Sequence, residues 1–121
     1  ICHFHFLNLL LIKVKLMRLN ITPRKTRMVT KLIKGKKAIN VKNNLLFIDK
    51  KASRPILKLL NSALDIAEKS KLNVEDLFLS NIIVSEGPKR KTMRAGSRGH
   101  AKPIMKRSSH IELTLDTKNN K

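Results

Sequence analysis

The sequence predicts an α+β fold in which helices precede a long β-hairpin. Three observations predict it. Apolar residues recur at helical spacing up to about Ser70. Two alternating, strand-like runs follow, at Leu77–Ser85 and His110–Leu115. Between them, Glu86–Ile111 is rich in Lys, Arg, Gly and Pro and poor in large apolar residues. Helices first and strands after point to α+β rather than to a doubly wound sheet.

Ile1–Leu16 has no acid and a run of apolar residues from Phe4 to Val14. The run is too short to span a bilayer, and His5, Asn8 and Lys13 break it. No basic n-region precedes it, which argues against a signal peptide. We expect an extra N-terminal strand or a tail packed on a neighbour. Cys2, the only cysteine, lies near His3 and His5. One cysteine excludes an internal disulfide and a multi-cysteine zinc site. We expect the Cys2–His5 cluster to be incidental, and no metal or cofactor.

Ile21-Thr22-Pro23 reads as a helix start, with Thr22 as the cap and Pro23 at the first helical position. Arg24–Lys34 continues the helix, with Met28, Val29, Leu32 and Ile33 expected on its buried face, and Gly35 as a left-handed stop. Arg24, Lys25, Arg27, Lys31 and Lys34 make its polar face. Lys36–Phe47 is a weaker helix with Ile39, Val41, Leu45 and Leu46 as candidate core, because Asn40, Asn43 and Asn44 lower its propensity. Asp49 or Ser53 is expected to cap the third helix, with Pro55 tolerated in or near its first turn. Its stripe is Ile56, Leu59, Leu60, Ala63, Leu64 and Ala67. Each large aliphatic side chain buried there contributes about 1.5–3 kcal/mol. Asn73–Asp76 is a turn. If about 10 residues of each hairpin strand pass the core, the arm reaches roughly 33 Å. Such an arm has no core of its own and needs something to hold it.

Charge is distributed as unevenly as structure. Residues 1–48 carry eleven Lys/Arg and no acid, residues 49–88 carry six of each sign, and residues 89–121 carry ten basic and two acidic, for a net +19. Two cationic ends around a neutral middle make a footprint for a polyanion. Trp and Tyr are absent and no Phe lies in the arm, so aromatic stacking platforms for single strands are missing. We therefore expect contacts to phosphate and sugar of structured RNA or duplex, with Arg planes stacking on a few bases.

Enzymatic motifs are missing. Gly96-Ser97-Arg98-Gly99 is too short and too basic for a phosphate-binding glycine loop and reads as a turn. Ser109 and His110 are adjacent on a strand and point to opposite faces. Ser108 shares a face with His110, but no acid is predicted to orient the ring, as a triad requires. His110 is expected to hydrogen-bond RNA or backbone at the hairpin base.

Ile21–Val29 (ITPRKTRMV) with Leu32-Ile33-Lys34-Gly35-Lys36, then Lys50-Lys51-Ala52, Pro55, Leu57–Leu60 and Ser62-Ala63, then Glu86-Gly87-Pro88, Gly99, Ala101, Lys106-Arg107 and Ser109-His110-Ile111 stand in one order. This ordered set resembles the bacterial-type large-subunit ribosomal protein twenty-two family over about residues 18–116. The resemblance implies three helices packed on a small antiparallel sheet, with an extended hairpin at about 84–112. It implies one rRNA-binding domain over 18–121 after an N-terminal extension at 1–17. It implies no enzymatic activity and a place in the large ribosomal subunit, in bacterial cytoplasm or in an organelle's matrix or stroma. The partners implied are large-subunit rRNA, neighbouring ribosomal proteins and a nascent polypeptide, with no membrane and no small-molecule substrate.

The RNA-binding residues expected are Arg18, Arg24, Lys25, Arg27, Lys34 and Lys36 on and around the first helix, and Lys89, Arg90, Lys91, Arg94, Arg98, His100, Lys102, Lys106, Arg107, Ser109 and His110 along the hairpin. Met93, Arg94, Ala95, Gly96, Ser97 and Arg98 are expected at the tip, which the resemblance implies lies in the wall of the nascent-peptide exit tunnel. Ala95 and Gly96 stand where the family often has Pro and Arg. The rival reading is a duplex-DNA-binding architectural protein with the first helix as its recognition element, which needs a second, closely turned helix and a dimer.

Overall fold

The computed structural model describes residues 11–117. Eight elements run in order: β1 (Ile12–Leu19), α1 (Pro23–Ile33), α2 (Ala38–Phe47), α3 (Ser53–Lys69), β2 (Leu77–Glu86), β3 (Arg90–Ala95), β4 (Ala101–Lys106) and β5 (Ser109–Thr117). Short 3₁₀ turns lie at Val74–Asp76 and Ser97–Gly99. The α+β class, the three helices and the antiparallel sheet are as the sequence predicts.

The stripe of α3 is buried at every expected position, from Ile56 to Ala67. The zero exposure of Ala63 and Ala67 fits their small size, which lets a second layer approach closely. That layer is a three-stranded antiparallel sheet of order β1-β5-β2. β5 supplies its centre, with Ser109, Ile111, Leu113 and Leu115 buried and the residues between them half-buried.

Two helices present different faces from those expected. In α1, Val29 and Ile33 are buried, but their companions are Pro23, Thr26 and Thr30, while Met28 and Leu32 are exposed. The two candidate stripes share Val29 and Ile33, so spacing alone leaves a tie. Packing on β2 and β5 breaks it, because Thr26 Oγ1 donates to Thr22 O (3.1 Å) and lies 3.4 Å from Ser109 Oγ, which satisfies a buried hydroxyl. In α2, Ala38, Val41 and Leu45 are buried, whereas Ile39 and Leu46 stay exposed.

The caps also differ. Thr22 sits at the N-cap of α1, yet its hydroxyl accepts nothing from the first turn, and its carbonyl takes the bond from Thr26 N–H instead. Ser53 is the first residue of α3, and its hydroxyl donates back to Lys50 O (2.7 Å) and Ile48 O (3.0 Å) rather than capping. Asp49 lies outside the helix, and Pro55 falls in its first turn. Gly35 ends α1 with φ +81°.

Ile12–Leu16, part of the segment for which a strand or a tail was expected, forms a strand. β1 pairs with β5 from Ile12↔Leu115 to Leu16↔Ile111. A domain boundary drawn at residue 17 thus falls inside β1. Cys2, His3 and His5 lie outside the described residues. Among the described residues, no three His, Cys, Asp or Glu side chains are grouped to hold a metal ion, and no helix is long and apolar enough to cross a membrane.

Candidate nucleic-acid interface

The sheet does not run unbroken into the hairpin. The β2–β5 ladder ends at Glu86↔Ser109, and a separate β3–β4 ladder runs from Arg90↔Lys106 to Ala95↔Ala101. The joint between them is made by Gly87 N–H donating to Ser108 O (2.8 Å) and Ser108 Oγ donating to Pro88 O (2.7 Å). A Cβ on Gly87 would collide with Ser108 Oγ. Glycine is required there by close approach, not by its φ.

Beyond the joint the arm has no interior. Every residue of β4 is exposed, and in β3 only Thr92 is half-buried. Each arm strand has six residues and spans about 20 Å. At the tip, Gly96 N–H donates to His100 O (2.7 Å) and His100 N–H to Ser97 O (3.3 Å). Arg98 and Gly99 take the left-handed conformation, with φ 57° and 72°. A Cβ on Gly96 would stand 2.5 Å from His100 O, so this glycine too answers to contact.

One face of α1, the loop before α3 and the root of the arm enclose an open cleft of about 1340 Å³. Its walls carry Arg18, Lys25, Lys50, Lys51, Lys89, Arg90, Lys106 and Arg107, and no Asp or Glu. Among the described residues the single ion pair is Lys13–Glu112 (3.7 Å), between β1 and β5, and neither partner lines the cleft. The cleft cations therefore face one another and solvent, an arrangement that favours an anion.

The sequence-predicted residues divide by place. Arg18, Lys25, Lys89, Arg90, Lys106 and Arg107 come together in the cleft. Arg24 lies beside it, in a smaller depression shared with Lys25 and Arg107. Lys91, Arg94 and Lys102 continue along the arm, with Arg98 and His100 in its tip. Met93, Ala95 and Ser97 are exposed there with them. Arg27 is exposed, but one guanidinium N–H₂ donates to Val84 O (3.1 Å) at the sheet edge. Lys34 and Lys36 sit past the C-terminal end of α1 and do not line the cleft.

Two residues at the root of the arm do something else. Ser109 is fully buried against Thr26, so it has no surface to offer an RNA. Nδ1 of His110 accepts from the backbone N–H of Arg18 (3.0 Å). Arg18 has φ 57° where the β1–β5 register slips between Leu16 and Leu19. His110 thus fixes the irregular backbone that carries a cleft cation, the backbone bond expected of it. Ser108, Ser109 and His110 each have another partner, and none of these bonds couples a hydroxyl to the imidazole.

Lys50 and Lys51 were missed as site residues. The signal was a basic pair directly before a helix, and only the fold brings it opposite the arm.

The family model described as Ribosomal protein L22p/L17e matches residues 14–116. The chain belongs to that family. It is 42% identical over 101 residues to the large ribosomal subunit protein uL22 of Syntrophobacter fumaroxidans, covering 83% of this chain and 92% of that protein. It is 43% identical over 102 residues to uL22 of Methylacidiphilum infernorum, covering 84% and 90%. It is 36% identical over 104 residues to uL22 of Mesoplasma florum, covering 85% and 93%. The match to the uL22 family starts within β1 and ends within β5, so it takes in the sheet, the helices and the arm.

Proposed function

We propose that this uL22-family chain is a structural, non-enzymatic constituent of the large ribosomal subunit, held in place by rRNA phosphates. Membership of a ribosomal protein family carries the coarse statement. The observation that supports the finer one is the cleft of eight Lys/Arg without an acid, continued by the cations of the arm. Phosphates neutralise Arg18, Lys25, Lys50, Lys51, Lys89, Arg90, Lys106 and Arg107 at the root, and Lys91, Arg94, Arg98 and Lys102 further out, where His100 hydrogen-bonds the same phosphate backbone. Arg24, Arg27, Lys34 and Lys36 add a second, looser set around α1. The arm takes its fixed shape from RNA around it, since it buries too little apolar surface to hold one alone. Met93–Arg98 at its end contributes to the wall of the exit tunnel and meets the nascent polypeptide. Neighbouring ribosomal proteins are the remaining partners.

The deciding measurement is co-sedimentation with large ribosomal subunits at high salt, joined to competition between rRNA fragments and duplex DNA. Retention on the subunit and displacement by rRNA fragments alone are expected. Equal displacement by duplex DNA would instead support the architectural DNA-binding alternative. For the tip, a photo-crosslinker at Ser97 is expected to label a stalled nascent chain. Labelling of rRNA alone would remove the tunnel assignment.

A further inference from the structure

We propose that the cationic cleft takes an unpaired nucleotide, with its flanking phosphates on the Lys/Arg rim and its base on an apolar floor of Met28, Leu32 and Met105. This rests on the reading of the cleft as an RNA surface and adds which feature of the RNA it takes.

Three large apolar side chains are left in water inside the cleft. Met28 is 58% exposed, Leu32 56% and Met105 47%, although Val29 and Ile33 beside them on α1 are buried. They line the same depression as the cations. Apolar surface rimmed by polar groups marks a contact site. The rim names a polyanion, and the floor asks for a flat apolar face on that same polyanion. A paired RNA helix shows its partner only phosphates, sugars and base edges, with its stacked faces hidden. An unpaired nucleotide turned out of the stack offers an apolar face with a phosphate on either side. Methionine suits such a face, because its thioether is polarizable and flexible and packs well at aromatic rings. The chain has no Trp or Tyr, so this floor stands where other RNA-binding surfaces place an aromatic platform. An acidic peptide with an aliphatic anchor would meet the same walls. The cations that continue from the cleft along β3 and β4 favour a longer polyanion.

The test uses the full chain and three RNA stem-loops that differ at one position: fully paired, carrying a single-nucleotide bulge, and carrying the same bulge without its base. Binding is read by fluorescence anisotropy at one salt concentration. The bulged RNA is expected to bind about tenfold tighter than the other two, the ratio that burial of one methionine-sized apolar face gives. Combining Met28→Ser with Met105→Ser is expected to erase that difference and leave the abasic RNA unaffected. Equal affinity of wild type for the bulged and abasic RNAs overturns the proposal, without any variant having to fold. Competition by poly-glutamate as strong as by bulged RNA of equal charge overturns it in favour of an acidic protein partner. Lys51→Ala and Arg107→Ala are expected to weaken all three RNAs alike. If they weaken none, it is the RNA reading of the cleft that fails, whatever the base does.

Discussion

Gly87 shows how a single atom sets the direction of the arm. The joint is close enough that a methyl group would strike Ser108 Oγ, whose proton goes to Pro88 O. Gly87→Ala is expected to cost about 1–3 kcal/mol, the usual cost of overpacking. Adding Ser108→Ala should return part of it, because the struck atom is gone, and urea unfolding of the single and double variants measures this. If the double variant is less stable than Gly87→Ala, the clash is not the cause. A second residue-scale contrast lies in α1 and α3. Leu60, at 0% exposure, should cost about 2–5 kcal/mol when changed to Ala. Met28→Ala should stay near 0.5 kcal/mol, since it is a surface site. Equal losses would return Met28 to the core.

At the scale of elements, the arm and α3 are opposites. α3 buries a full stripe along its length, and its amides should exchange only with global unfolding. The β3–β4 ladder hydrogen-bonds well but covers nothing, and a two-stranded ribbon alone is marginal in water. Amides 89–106 of the free protein are therefore expected to exchange much faster than those of α3, and to slow on adding rRNA. Protection equal to α3 without RNA would end the idea that RNA holds the arm. Excising residues 91–105 and closing the ladder with Asn-Gly, which suits a two-residue hairpin turn, should shift the melting temperature by less than about 5 °C. That is the shift that ~1 kcal/mol gives a domain of this size. A larger fall would mean that the arm supports the core.

For the whole molecule, charge segregation is the organising fact. The neutral middle stretch contains α3 and β2, which need only pack, and adds Lys50 and Lys51 to a cleft on which the cationic ends converge, because β1, α1, the loop before α3 and the root of the arm meet there. On the proposed RNA-binding role, counter-ion release should dominate affinity, and the slope of log K against log salt should fall by about one for each of Lys51, Lys89 and Arg107 changed to Ala. Arg90→Ala and Lys106→Ala should weaken subunit assembly more than they lower the melting temperature, as both are exposed and unpaired within the described residues. Melting losses with unchanged RNA affinity would contradict this.

Residue order alone was enough for the class, the three helices, strands at Leu77–Ser85 and His110–Leu115 that fall within the observed β2 and β5, and the cationic arm between them. These rest on local properties: apolar period, β-branching, glycine and proline punctuation, and charge. It was equally enough to single out most of the cleft cations, because charge density is visible without coordinates. Tertiary packing decided the rest. β2 changes its buried parity from Leu77 and Leu79 to Ile82 and Val84 through a bulge at Ser80-Asn81, which no alternation in the sequence signals. Packing turned Met28 and Leu32 outward, buried Ser109, joined Ile12–Leu16 to the sheet and set Lys50 and Lys51 opposite the arm. Each of these depends on partners far away along the chain. A helix face with two nearly equal stripes, or a lysine pair before a helix, has its role settled by which surface comes to meet it.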